Sequence, residues 1–250
     1  MNYKLIHNIE NLNKFIELLP ELKENESYFL ILIARKKWNP ISEIPSAYKL
    51  KRETVTKNKI VRTIKQWETE IGTYITNEGV TIPNENLGVY IAYNPKDQYK
   101  ATFDMVKQCL DAIEIKKKGI NIKSMANDVI QSANGTKNFI DIDVDIKEGE
   151  DYLEVVKFIK SVINEKYLTF VKTNGGFHCL ISMIKSRKNP LGDFSDLIFE
   201  TTKENDFSYH GKNWYQTLQK HPFKSELNIM SHDLMPLVGC NQGKFIPFQF

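Results

Sequence analysis

The sequence predicts an α+β fold in which an acidic strand organises the second half of the chain. Residues 139–145 read FIDIDVD, and such alternation of apolar and charged side chains is typical of a strand with one buried face. Apolar residues then recur at helical spacing over 152–163. Two further strands, 168–171 and 177–181, are predicted on either side of the turn Thr173–Gly176. The crossover through the helix favours strands 139–145 and 168–171 as parallel neighbours or near neighbours in one sheet.

The acidic strand is a candidate metal site. Residues two apart point to the same face of a strand, so Asp141, Asp143 and Asp145 are expected on one side, with Ile142 and Val144 facing the core. A bound divalent cation would make this crowding of like charges tolerable, and oxygen ligands suit Mg²⁺ or Mn²⁺. The alternative is a solvated, acidic strand end that binds no metal.

The preceding part of the chain is predicted to alternate helices and strands. Helices are predicted over 8–22, 54–69, 96–115 and 124–132. Residues 87–93 form a predicted strand that ends at Asn94-Pro95, whereas the apolar segment 28–34 fits a strand or a buried helix. Prolines after Trp38 indicate a loop up to the helix at 54–69. No repeat or low-complexity linker interrupts the sequence, which favours one compact body.

A basic segment stands out between Arg35 and Lys65. It contains ten basic and two acidic residues, a net charge of +8 in a chain whose total is only +3. Trp38, Tyr48 and Trp67 are interleaved with these charges. Basic groups bind phosphates and aromatic rings stack on bases, so the segment is a candidate nucleic-acid surface, or alternatively a solvated lysine-rich face. The residues selected as contacts are Arg35, Lys36, Lys37, Lys51 and Arg52.

Composition argues against several other classes of protein. The three cysteines stand far apart without a CxxC pair, which disfavours a zinc ribbon and favours a reduced, cytosolic compartment. The longest apolar run, 28–34, is too short to span a membrane, and no signal peptide is recognisable. We therefore expect a cytoplasmic protein that does not bind membranes. No P-loop is present, so a helicase motor would be a separate chain.

Two motifs together resemble the archaeo-eukaryotic primase superfamily. Asp141-Ile142-Asp143 matches the family's DxD motif on a strand, and Gly176-Phe177-His178 matches its small-x-His motif after a glycine-rich turn. Thr173 stands where many members have serine. The C-terminal segment 231–250 is similar to the family's third motif, with Asp233 as its acid and Glu226 as the competing candidate.

The third motif departs from the family pattern. Leu237-Val238-Gly239-Cys240 stands where members commonly have Pro-Gly-Thr or Pro-Gly-Ser near an arginine. This departure puts nucleotide contacts at that segment in doubt.

The resemblance implies a fold and a division of the chain. It implies a catalytic core over 76–250 with an RRM-like antiparallel or mixed sheet, and an N-terminal α/β region over 1–75 whose basic segment packs on that core. It also implies template-directed, metal-dependent nucleotidyl transfer by a DNA primase or primase-polymerase of a phage or other mobile element. A phage-encoded protein would act in the cytoplasm of the bacterial host.

Site residues and partners follow from the same resemblance. Two Mg²⁺ or Mn²⁺ ions would be held by Asp141, Asp143 and Asp233. The triphosphate would be contacted by Thr173, Gly175, Gly176 and His178. Single-stranded DNA template, nucleoside triphosphates and a separate replicative helicase would be the partners. This reading requires the imidazole of His178 to face the two carboxylates of the DxD motif across a shared pocket.

Two other functions fit the same residues. The altered third motif favours a catalytically inactive, primase-like factor that binds single-stranded DNA. Clustered acids also serve metal-dependent nucleases, although the turn between Thr173 and His178 argues modestly against that class.

Overall fold

The computed structural model of the protein describes residues 1–40, 44, 46–115, 119, 121–183, 217–230 and 233–250. The helices are α1 Ile9–Leu18, α2 Ile60–Trp67, α3 Gln98–Glu114, α4 Ile122–Ser132 and α5 Tyr152–Val162. The strands are β1 Glu26–Arg35, β2 Ala47–Val55, β3 Leu87–Asp97, β4 Phe139–Asp145, β5 Leu168–Lys172, β6 Gly176–Ser182, β7 Glu226–Ile229, β8 Leu234–Pro236 and β9 Phe248–Gln249. They form two antiparallel sheets, which confirms the α+β class. None of the helices in these ranges offers the length and apolar character that a bilayer crossing requires.

The chain divides into two compact units. The first consists of Met1–Lys137 with Asp233–Pro247, and the second consists of Asn138–His232 with Phe248–Phe250. The boundary therefore falls just before β4, whereas the division expected after residue 75 lies inside the first unit.

The first unit contains a four-stranded sheet in the order β2-β1-β3-β8. Strand β1 is buried throughout Glu26–Ala34. A run that is apolar on both faces carries no periodicity, which is why the sequence alone fits a strand or a helix, and the structure shows a strand. One face of the sheet carries a core cluster of aromatic and aliphatic side chains, Phe29, Ile31, Ile33, Tyr90 and Ala92.

Two predictions for this unit are wrong. Strand β2 occupies residues where we expected a loop and the start of a helix, because its exposed charges conceal the strand pattern. Strand β3 does not end at Asn94-Pro95 but continues to Asp97. Pro95 is tolerated because the register between β1 and β3 is irregular at this point, so its missing N–H does not break a regular ladder. The Asp97 side chain then caps α3 by accepting the backbone N–H of Lys100.

The second unit contains a five-stranded sheet in the order β7-β4-β6-β5-β9, with antiparallel neighbours throughout. Strands β4 and β5 consequently run parallel on either side of β6, which confirms the prediction that they are near neighbours. Helix α5 packs against one face of this sheet. Its buried partners there include Ile142, Val144, Phe177, Cys179 and Ile181. The alternation of β4 therefore sends Ile142 and Val144 into the core, as predicted.

Gly176 is fixed by the close approach of β4 and β6. It pairs with Asp145, and a Cβ atom at this position would overlap the carbonyl oxygen of Val144. At Gly175 the nearest atom to an added Cβ would be an oxygen of Asp145 at 3.6 Å, an ordinary contact. The two glycines of the turn therefore have different structural requirements.

We expect Gly176→Ala to lower the free energy of unfolding by about 2 kcal/mol or more, because the two strands must separate to admit the methyl group. Gly175→Ala is the matched control and should change it by less than about 1 kcal/mol. Urea unfolding followed by circular dichroism measures both variants. Equal losses for the two substitutions would contradict the packing described for Gly176.

Candidate metal and nucleotide site

The register of β4 and β6 determines which side chains meet. Asp143 pairs with His178, while Asp141 and Asp145 pair with Leu180 and Gly176. Side chains of directly opposed residues share a face of an antiparallel sheet. The three acids of β4 and the imidazole of His178 therefore lie on the face opposite α5.

The imidazole of His178 bridges two carboxylates. Its Nδ1 lies 2.8 Å from Oδ2 of Asp141, a hydrogen bond, and its Nε2 lies 3.7 Å from Oδ1 of Asp143. Asp141 and His178 are buried, whereas the side chain of Asp143 is 28% exposed. One carboxylate thus orients the ring from inside the protein, and the other is accessible to solvent and to a ligand.

Opposing effects set the pKa of His178. Burial disfavours the imidazolium, but the charge and hydrogen bond of Asp141, with the charges of Asp143 and Asp145, outweigh burial and raise the pKa above its ordinary value. His178 is therefore cationic over a wider pH range than a free histidine and compensates part of the acidic charge. The sequence predicts a metal ion as the relief of this crowding, whereas the structure also provides an internal counter-charge.

Asp141 also offers an oxygen suited to a metal ion. Its Oδ1 is buried and has no hydrogen-bond partner among the described residues. Leaving such an oxygen without a donor is costly, and a divalent cation would satisfy it. Within the described ranges, no three His, Cys, Asp or Glu side chains are arranged to hold an ion by themselves. Mg²⁺ often takes only one or two carboxylates, with water and substrate phosphates completing its shell, so Asp141 and Asp143 fit such an ion.

Strand β7 adds polar side chains to the same face. Glu226 pairs with Asp145, and Asn228 pairs with Asp143. Glu226 is exposed and forms an ion pair with Lys147 at 2.7 Å, which lowers the pKa of its carboxyl group. Asn228 was not predicted as a site residue from the sequence. The alternation of polar residues at 226 and 228 with apolar ones at 227 and 229 is the signal that could have revealed it.

Asp233 lies in the first unit, directly before β8, in a different electrostatic setting. Its Oδ2 accepts a hydrogen bond from Nζ of Lys96 at 2.9 Å, and both side chains are buried. Lys96 also donates to Asn134 at 2.8 Å. The structure thus brings together Asp141, Asp143 and His178, and it gives Asp233 a lysine partner that sequence reasoning did not select.

The turn residues assigned to the triphosphate also have structural roles. The backbone N–H of Thr173 donates to the carbonyl of Gly176 at 3.0 Å, which closes the turn between β5 and β6. Thr173 is buried. The absence of a side chain at Gly176 is explained by packing against β4, whether or not phosphate binds near Gly175.

The basic residues selected for nucleic-acid binding occupy different environments. The guanidinium of Arg35 lies over the rings of Trp38 and Tyr90, at 5.8 and 5.4 Å from their centroids. Arg52 forms an ion pair with Asp128 at 2.6 Å. Of the other residues proposed as nucleic-acid contacts, Lys37 and Lys51 are exposed and Lys36 is half-buried.

The aromatic rings of the basic segment are less available than the sequence suggests. Trp67 is buried in the core of the first unit, so it cannot stack on a base in this conformation. Trp38 fits against Gly88 and Gly243, where added Cβ atoms would collide with its ring. Trp38 therefore has a packing role in this structure.

No family model matches the chain, and no curated protein or solved structure shows significant similarity to it. The resemblance to the primase superfamily therefore depends on the motif residues of the sequence.

The raised pKa of His178 predicts a pH-dependent contribution to stability. A raised folded-state pKa gives stabilisation that is complete below about pH 6.5 and disappears as the pH rises through the folded value. In Asp141→Asn we expect the pKa of His178 to fall, because burial then acts without its main counter-charge. NMR titration of the ring measures this shift, with the exposed-site variant Glu154→Gln as the control. An unchanged pKa in Asp141→Asn would contradict the assignment.

The buried pair of Lys96 and Asp233 predicts a large effect of removing one partner. Lys96→Met should lower the free energy of unfolding by about 3–5 kcal/mol, because it leaves a buried carboxylate unpaired. Adding Asp233→Leu should recover much of that loss. In contrast, Lys147→Met, which breaks an exposed pair, should leave unfolding almost unchanged. Urea unfolding compares the variants, and a mild effect of Lys96→Met alone would contradict the buried pair.

Proposed function

We propose that this protein is a divalent-metal-dependent nucleotidyltransferase of the DNA primase or primase-polymerase class. The observation that supports this proposal is the placement of Asp141, Asp143 and His178 on one face of the five-stranded sheet. The order of these residues along the chain and their setting on a strand and after a glycine turn resemble those of the archaeo-eukaryotic primase superfamily. The five-stranded sheet would then belong to the superfamily core.

In this proposal the two acids of the DxD motif hold Mg²⁺ or Mn²⁺. Bound metal would supply charge neutralisation at the triphosphate and activation of the attacking hydroxyl. Asp141 contributes its Oδ1, which has no hydrogen-bond partner within the part of the chain that the structure describes, and Asp143 contributes a carboxylate that solvent reaches. The same Asp141 orients the ring of His178 through its other oxygen.

His178 is proposed to bind the triphosphate as a hydrogen-bond donor. Its raised pKa favours the imidazolium, in which both ring nitrogens carry hydrogen. Nδ1 is engaged by Asp141, while Nε2 is 3.7 Å from Asp143, beyond hydrogen-bond distance for that pair. Nε2 can therefore donate its hydrogen to a phosphate oxygen while the hydrogen bond that orients the ring is kept.

The partners of this reaction would be single-stranded DNA template and nucleoside triphosphates, with a replicative helicase as a separate chain. Exposed lysines such as Lys37 and Lys51 are suited to template phosphates. Asp233, the third acid that the resemblance implies, lies in the first unit with its Oδ2 paired with Lys96.

A second candidate function is a primase-like factor that binds single-stranded DNA without catalysis. The observation that favours it is that Asp141 and Asp233 each have a cationic partner within their own unit, His178 and Lys96. Acids that are compensated in this way are stable without metal and need not take part in chemistry.

Primer synthesis on single-stranded DNA, with labelled nucleotides and either Mg²⁺ or Mn²⁺, tests the proposal. We expect synthesis by the wild type and a loss of about a hundredfold or more in Asp141→Asn and in Asp143→Asn, since each removes a metal-binding charge while keeping the side-chain shape. Glu154→Gln, an exposed change on α5, is the matched control and should retain activity.

The other outcomes separate the alternatives. DNA binding by the wild type without nucleotide incorporation in either metal would favour the non-catalytic factor. Degradation of labelled DNA that needs no nucleotide would identify a nuclease. Full synthesis by Asp141→Asn and Asp143→Asn would refute the metal-binding role of these acids.

A further inference from the structure

Helix α3 carries most of its large apolar side chains on the side that faces solvent, and Met105 is the exception that packs inward. The residues that it buries are small, Ala101 and Ala112. On the exposed side stand five large residues, here called the α3 stripe: Tyr99 at 71% exposure, Phe103 at 71%, Val106 at 54%, Leu110 at 61% and Ile113 at 70%. This orientation is the reverse of that of an ordinary surface helix, whose large apolar residues face the core.

The α3 stripe has the spacing of a helix-pairing seam. Its residues are separated by four, three, four and three positions, which is the a/d pattern of a coiled coil. Such a pattern keeps one narrow apolar line along the helix, where a second helix can pack its side chains between those of the first. A scattered set of exposed apolar residues would not produce this line.

The size of the stripe also indicates an interface. With on the order of 100 Å² of exposed apolar surface per large side chain, the stripe presents about 500 Å², against about 800 Å² per partner in a standard protein interface. The stripe is thus as large as the largest apolar patch of a typical monomer, about 300–600 Å², and such a patch often has a function. Flanking residues such as Lys100 and Glu114 would supply much of the remaining area.

We propose that the α3 stripe binds the α3 stripe of a second copy of this chain, with the two helices antiparallel. Lys100 near the start of the helix and Glu114 at its end lie along the same edge of the stripe, fourteen residues or four turns apart. An antiparallel pair brings Lys100 of each copy beside Glu114 of the other, whereas a parallel pair gathers both lysines at one end. The arrangement is isologous, so it closes as a dimer.

The apolar residues are also complementary in an antiparallel pair. The first half of the stripe is aromatic, with Tyr99 and Phe103, and the second half is aliphatic, with Leu110 and Ile113. Antiparallel pairing therefore packs the aromatic rings of one copy against the narrower aliphatic chains of the other. Two aromatic rings then do not have to fit at the same level of the helix pair. Lys107 lies midway between Lys100 and Glu114 and therefore meets Lys107 of the other copy, and Asp111 four positions further on the same helix offsets part of that charge.

Sedimentation of the full chain over a wide concentration range tests this proposal. We expect a dimer in the wild type and a dissociation constant raised about tenfold or more in Phe103→Glu, because a charge in the seam would be desolvated. Gln108→Glu introduces the same charge at an exposed position of α3 outside the stripe and should leave the dimer intact. Circular dichroism checks that the variants keep their fold, which the exposure of both positions favours.

Charge exchange tests the orientation. Lys100→Glu and Glu114→Lys should each weaken the dimer, and the two substitutions together should restore it. A wild type that stays monomeric at every concentration, or a dimer that Phe103→Glu leaves unchanged, would overturn the proposal. Failure of the double exchange to restore the dimer would overturn the antiparallel arrangement. These outcomes do not depend on nucleotide incorporation, so this proposal and the proposed function can fail separately.

Discussion

The antiparallel register of β4 and β6 places Asp143 opposite His178, and both the core of the second unit and the candidate site depend on it. A shift of one residue would turn the imidazole toward α5 and bring Cys179 to the acidic face, because side chains alternate along a strand. The missing side chain at Gly176 allows the two strands to approach at this register. One backbone pairing therefore orders apolar packing on one face and charge on the other.

The two buried acids are compensated by different kinds of cation. Asp141 faces an imidazole, whose charge depends on pH, whereas Asp233 faces a lysine ammonium. The first pairing changes its charge state when the histidine gains or loses a proton. The second pairing fixes strand β8 beside β3, to which Asp233 also contributes its carbonyl as an acceptor for the N–H of Tyr93.

Local patterns were sufficient to predict much of the second unit and the central residues of its site. The period-2 alternation at 139–145 and the helical spacing at 152–163 both appear in the structure as elements of that type. Strand β2 was missed because its identity depends on pairing with β1 and not on its own sequence pattern. The partnership of Lys96 with Asp233 was invisible for the same reason, since the two residues are far apart along the chain and meet only in the folded protein.

The interleaved order of the two units has a consequence for how the protein acquires its fold. Strand β8 completes the sheet of the first unit beside β3, yet the ribosome makes it only after β4–β7 of the second unit have been synthesised. The edge of β3 that pairs with β8 therefore lacks this partner while the strands of the other sheet are being synthesised. A gene split at the boundary before β4 would separate β8 from the sheet that it completes.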